Sequence, residues 1–181
     1  MKKSVVDLSD LQEIAPFFKT KFGIFLGKKI IKWLGIKKVN DIHAKHCHLR
    51  GADFTTALLH DPLMDIKYKV HNAELLDTLP EGAFITISNH PFGHIDGIML
   101  IDIFAARRSD FAVMVNGVLT KIGAMEDNFI SVQPDSKNRG ANVANVNGVR
   151  TSLERLKSGH PMGFFPAGAI SFYNKEKKRV M

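Results

Sequence analysis

AFITISNHPFGHIDGIMLIDIFAARR, residues 83–108, decides the fold. Its first six residues form a mainly apolar run of strand length. Residues 94–108 read as a helix. Between the two, Pro91, Phe92 and Gly93 supply a turn. The same beat then repeats: strand FAVMVN (111–116), short helix GVLTKIGAM (117–125), strand NFISVQP (128–134), helix ANVNGVRTSLERLKSG (144–159) and strand PMGFFP (161–166). Short apolar strands alternating with helices predict an α/β fold, a mainly parallel sheet with helices on both faces. The polar, glycine-containing stretch 135–148 reads as a mobile loop leading into the last helix.

Upstream of this beat, residues 8–59 read as helices. Ser9 and Asp10 are candidate N-caps, Gly23, Gly27 and Gly35 candidate breaks, and Asp53 a candidate start for a short helix toward Leu59. HDPLMD (60–65) breaks the pattern, and IKYKVHN (66–72) alternates like an edge strand. The expected organisation is a helical, membrane-interface region over 1–62 and an α/β domain over 63–181, with the N-terminal helices packed on the sheet.

Charge divides the chain the same way. The net charge is +7, and residues 15–39 hold seven lysines and no acid. The remaining basic and acidic residues balance at 18 each. The lysines of 15–39 interleave with phenylalanine, isoleucine and the only tryptophan, the composition of a helix lying in an anionic membrane interface. Phe17, Phe18, Phe25, Lys28, Lys29, Lys32 and Trp33 are its expected lipid contacts. A core-packing helical hairpin with a solvated lysine face has the same pattern, and the two readings are compatible. Nucleic acid is the poorer match, because the basic residues alternate with bulky apolar ones and the rest of the chain is neutral. A peripheral place on the cytoplasmic face of the cell membrane follows. The single cysteine suits a reducing compartment, and neither a secretory signal nor a run of the roughly 20 apolar residues that span a bilayer is read in the sequence.

His90 lies just past the C-terminal end of the strand 83–88, the edge where open α/β sheets bind ligands. Asp96 is six residues on. A continuous helix would place the two about 240° apart around its axis, so the turn between them is what can bring imidazole and carboxylate together. The carboxylate would hold one ring nitrogen, and the other could take a proton from a hydroxyl or amine. Such a pair can equally do no more than pin the turn. No G-x-S-x-G serine, P-loop or dinucleotide fingerprint is present. His43, His46 and Cys47 share a helical face, but four closed ligands are lacking, so a solvated helix is expected there and no metal.

NHPFGHIDG resembles the first motif of the glycerolipid acyltransferase superfamily, and its spacing is similar to that of a bacterial branch described as hemolysin-like. NFISVQP and FFPAGAIS (164–171) resemble the second and third blocks of that family in order and spacing. The resemblance implies that His90 is the catalytic base and Asp96 its partner, with His94 peripheral. It implies substrate contacts at Asn89, Pro91, Phe92, Gly93, Phe165, Pro166, Ala167 and Gly168, with Arg139 as a further candidate. The implied reaction moves a fatty acyl group from a thioester of coenzyme A or acyl carrier protein to a lipid hydroxyl, with no tightly bound cofactor. The family's phosphate-binding arginines are replaced by Ser131, Gln133 and Ile170, which favours a lyso-aminolipid over lysophosphatidate. Arg139, Lys137 or Arg150 can compensate. Family members continue past the third block, so the resemblance implies a sheet incomplete at the C-terminus, with a partner chain as one means of completing it. Thioester hydrolysis by the same pair, or a truncated non-catalytic membrane binder, are the alternative functions.

Overall fold

The computed structural model describes residues 4–5, 7–33, 36–133 and 139–180. Four strands, β1 (Ile85–Ile87), β2 (Ala112–Asn116), β3 (Phe129–Val132) and β4 (Met162–Phe164), form one sheet in the order β1-β4-β2-β3. All three pairings are parallel. The fold is α/β, as the alternation of apolar runs and helices dictates.

Helices lie on both faces. On one face α5 (His94–Ala105) packs Ile101 and Ala105 against Phe111, Val113 and Val115. On the other, Leu156 of α6 (Arg139–Lys157) covers Ala112, Ile130 and Met162. Gly163 lets the first layer close: a Cβ there would stand 2.5 Å from Thr86 Oγ1 and 2.9 Å from the Phe111 ring.

The N-terminal helices are α1 (Leu8–Ile14), α2 (Lys21–Trp33), α3 (Ile36–His46) and α4 (Gly51–Leu59). They join the sheet through α4, whose Phe54 belongs to the α5-side core. Asp7 caps α1, accepting from the Ser9 and Asp10 backbone while Asp10 returns the bond, so the cap lies upstream of Ser9 and Asp10. Gly23 and Gly27 do not break α2. They are buried within it, Gly23 so close to Phe17 that a Cβ would meet the carbonyl oxygen at 2.0 Å. Gly35 lies outside the described residues. The last of these helices opens at Gly51, two residues before Asp53.

Four other expectations are corrected. Residues 66–70 form no strand. Their alternation holds Ile66, Tyr68 and Val70 half-buried, with the Tyr68 hydroxyl donating to Asp102 of α5. The period-2 signal is real, but Tyr68 meets a helix rather than a strand. Residues 117–125 form no α-helix: two 3-10 helices, Gly117–Lys121 and Gly123–Asn128, take their place. The last helix begins at Arg139, so much of the expected loop over 135–148 is helical, with 135–138 outside the described residues. His43 is not solvated. It is buried edge-on to Phe54, while His46 binds Asp61 at 2.9 Å. Among the described residues no three metal-ligating side chains gather.

Asp102 is a buried carboxylate that accepts from Thr55 at 3.2 Å and from the Thr56 and Tyr68 hydroxyls. Burial, then the bond to this carboxylate, push the Tyr68 phenol above its ordinary pKa. Asp61 is tied to Lys45 at 2.8 Å, to the Leu63 backbone N–H at 3.0 Å and to His46. Those bonds, that to Lys45 first, hold it well below the usual carboxylate range. The Asp102 and Asp61 clusters pin the segment after α4 to the helices on either side.

Candidate active site

The site grows from the C-terminal ends of the four parallel strands. β1 runs into Asn89-His90-Pro91-Phe92-Gly93, and α5 starts at His94. Gly93 turns the chain with φ +67°, a conformation that side chains rarely adopt, and a Cβ there would also meet Ile170 at 2.9 Å. This turn carries the chain back so that Asp96, in the first turn of α5, faces His90.

His90 Nδ1 lies 3.0 Å from Asp96 Oδ2. The same oxygen accepts the Phe92 backbone N–H at 2.9 Å, so one carboxylate oxygen fixes both the ring and the turn that carries it. Both side chains are largely shielded, with 17% of His90 and 11% of Asp96 exposed. With Asp96 accepting at Nδ1, that nitrogen carries the proton in the neutral ring and Nε2 keeps its lone pair.

A second contact sets the plane of the ring. Phe165, just past β4, stacks on His90 with centroids 4.2 Å apart and planes inclined by 24°. The Ser171 backbone N–H donates to the His90 carbonyl at 2.9 Å, which closes the loop after β4 over the loop after β1.

His90 opens onto a cavity of about 410 Å³. Every strand contributes to it: Gly93, His94 and Gly97 follow β1, Val115, Asn116 and Leu119 end and follow β2, Val132 ends β3, and Phe164, Phe165 and Ile170 end and follow β4. Its walls are mainly apolar. His90, His94 and Asn116 are the polar residues in this lining. A base at the rim of an apolar cavity can take a proton from a group on a substrate whose hydrocarbon part fills the space.

Of the residues named from sequence, His90, Gly93, Phe165 and Gly168 line this cavity, and Asp96 stands behind His90. Asn89, Pro91, Phe92, Pro166 and Ala167 are exposed and are not part of its lining. Arg139 opens α6, and its side chain lies outside the described residues. His94, set aside in the sequence reading, does line the cavity. So do Met114, Asn116, Leu119 and Val132, which sequence reasoning missed. Their signal was their place at the ends of β2 and β3, since the carboxyl ends of parallel strands build such crevices.

On α2, Phe22, Phe25, Lys28, Lys29, Lys32 and Trp33 are exposed, as is Phe17 just before it. Phe18 is half-buried, and its ring lies 3.2 Å from where a Cβ on Gly27 would be. No described helix is long and apolar enough to cross a membrane.

A family model described as Acyltransferase matches residues 11–176. A search of curated proteins and a search of solved structures each give no match.

Proposed function

The chain belongs to the acyltransferase family, an assignment that spans the N-terminal helices, the sheet and the His90 site, and from that premise we propose that it transfers a fatty acyl group from a thioester to the hydroxyl of a lyso-lipid at a membrane surface. The observation that carries this reading is the His90–Asp96 pair, 3.0 Å apart, at the rim of an apolar cavity.

In the proposed step, His90 Nε2 accepts the proton of the acceptor hydroxyl as its oxygen attacks the thioester carbonyl. Asp96 stabilises the imidazolium that forms. The tetrahedral intermediate collapses, the C–S bond breaks, and the thiolate recovers the proton from Nε2. An ester forms, a thioester is consumed and the base is regenerated. The donor is an acyl thioester of coenzyme A or acyl carrier protein. The apolar walls, Met114, Leu119 and Val132 among them, would receive hydrocarbon.

For the acceptor, a lyso-aminolipid such as an N-acylated ornithine or glycine with a free hydroxyl on its acyl chain is favoured over lysophosphatidate. Ile170 lines the cavity, and it stands where the family motif that FFPAGAIS resembles usually has arginine. On this reading the NHPFG motif and its six-residue spacing from histidine to aspartate favour the hemolysin-like branch it resembles.

The proposed route to the lipid is α2, held at the cytoplasmic face of an anionic membrane by Lys28, Lys29 and Lys32, with Phe25 and Trp33 inserted. Each lysine near such a surface contributes about 1 kcal/mol. Sedimentation with anionic vesicles tests this: K28E/K29E/K32E should release the protein, and complete release of the unaltered protein by salt with an unmoved Trp33 fluorescence would refute insertion. An acceptor panel tests the reaction. Acyl-lipid should form with the lyso-aminolipid, and thiol release without any acyl-lipid would make the chain a hydrolase.

A further inference from the structure

Bulky apolar side chains are exposed on the two chain segments that meet at His90. Ile87 is 68% exposed, Phe92 71%, Ile170 52%, Phe172 61% and Tyr173 59%. The backbone gathers them at one edge of the sheet. Ser88 N–H donates to the Phe164 carbonyl at 3.3 Å, and Ser171 N–H donates to the His90 carbonyl at 2.9 Å. Ile87 and Phe92 bracket His90 along the chain, and Ile170, Phe172 and Tyr173 lie beside Ser171, whose N–H is bonded to the His90 carbonyl. Ile170 also lines the cavity, so the apolar surface runs from its wall to the outer rim.

Beyond the rim the chain forms a two-stranded hairpin, β5 (Tyr173–Asn174) and β6 (Arg179–Val180). Its turn exposes Lys175, Lys177 and Lys178 beside a single acid, Glu176. Exposed aromatic and aliphatic side chains bordered by lysines mark a surface that meets an apolar phase behind a layer of negative charge. A second copy of this chain would bring these lysines against each other. A protein partner fits less well than lipid, since protein interfaces are depleted in lysine.

We propose that this rim is a lip that seats the mouth of the His90 cavity on an anionic bilayer, so that a lipid acceptor passes from the leaflet into the cavity without crossing water. The proposal rests on the acyltransferase reading above and adds to it the place where the acceptor enters. It is separate from α2, which packs on α1, α3 and the turn at Pro16–Lys19. On this account α2 tethers the molecule and the lip orients the mouth.

The chain has one tryptophan, which allows a direct test. Phe172→Trp is placed in a Trp33→Phe background, and fluorescence is read with vesicles of phosphatidylcholine and phosphatidylglycerol carrying brominated acyl chains. The indole introduced at 172 should be quenched and blue-shifted, and less so when phosphatidylglycerol is left out. Unquenched emission from protein that sediments with the vesicles overturns the lip. So does an emission shift produced by an acidic acyl carrier protein and not by vesicles. A second arm uses the double variant Phe172→Ser/Tyr173→Ser in the full chain. Transfer to an acceptor embedded in vesicles should fall about a hundredfold or more, the scale expected when two large apolar side chains stop being buried. Turnover of a water-soluble short-chain thioester with a soluble hydroxyl acceptor should be unchanged. If vesicle transfer stays at the unaltered rate, the lip is wrong while the acyltransferase reading stands. The quenching arm needs no turnover, so a failure of the acyltransferase reading is seen separately.

Discussion

Replacing Asp96 by asparagine isolates the charge behind His90. Both bonds to this side chain, from His90 Nδ1 at 3.0 Å and from the Phe92 N–H at 2.9 Å, arrive at one oxygen. An amide oxygen in that place can accept both, so the turn and the ring tautomer are kept. What is lost is the negative charge beside an imidazolium that forms as the hydroxyl is deprotonated. With charges about 4 Å apart and an effective dielectric near 20, that loss is about 4 kcal/mol in the transition state, or about 10³ in kcat. Partial access of solvent to both side chains lowers the figure toward 10². The assay is pre-steady-state transfer from a labelled acyl thioester to the acceptor. Asp96→Asn should lower kcat by 10²–10³, with KM and the melting temperature little changed. Asp96→Ala should lower the rate at least as far, because the ring loses its anchor too, and should also cost about 1 kcal/mol of stability, because the Phe92 N–H loses its acceptor. A kcat for Asp96→Asn within threefold of the unaltered protein would show that the carboxylate only pins the turn.

Phe165→Leu keeps an apolar wall but removes the face stacked on His90; a cation–π contact of this kind corresponds to about 2- to 30-fold in kcat. Phe165→Tyr should restore the rate, and equal rates for Leu and Tyr would remove the stack from the account. Gly163→Ala drives a Cβ to 2.5 Å from Thr86 Oγ1 and 2.9 Å from the Phe111 ring, and overpacking of about 1–3 kcal/mol should lower the melting temperature by several degrees in calorimetry. Asp61 is held below its ordinary pKa by Lys45 first, then the Leu63 N–H and His46. Its contribution to stability is therefore complete above about pH 4, its unfolded-state value, and is lost as pH falls through the depressed folded-state value. Asp61→Asn should lower stability at neutral pH and flatten its decline in acid; denaturant melts from pH 7 to pH 3 that remain parallel for the two proteins would contradict this.

The sheet was legible because each strand is a short apolar run closed by a polar or turn residue. A parallel strand covered on both faces must have that composition. The His90–Asp96 pairing was legible because both residues sit within one turn, where the Pro-Phe-Gly sequence limits how the chain can double back. Residues 66–70 misled because period-2 burial reports an extended chain on a surface without saying whether that surface is sheet or helix. Its true partner, Asp102, is 34 residues from Tyr68. The stack of Phe165 on His90 joins two loops 75 residues apart in sequence, and its geometry comes only with the pairing of β1 and β4. The same holds for Met114, Leu119 and Val132: a core methionine and a cavity-wall methionine have the same local sequence.

Incubating the full chain with a labelled acyl thioester and a lyso-aminolipid in anionic vesicles, beside its His90→Ala variant, tests the central claim most directly. The account predicts acyl-lipid formation by the unaltered chain and a loss of about 10²–10⁴ in rate for the variant, with the variant's circular dichroism and melting temperature preserved. Acyl-lipid formation by a folded His90→Ala protein at the unaltered rate would contradict it.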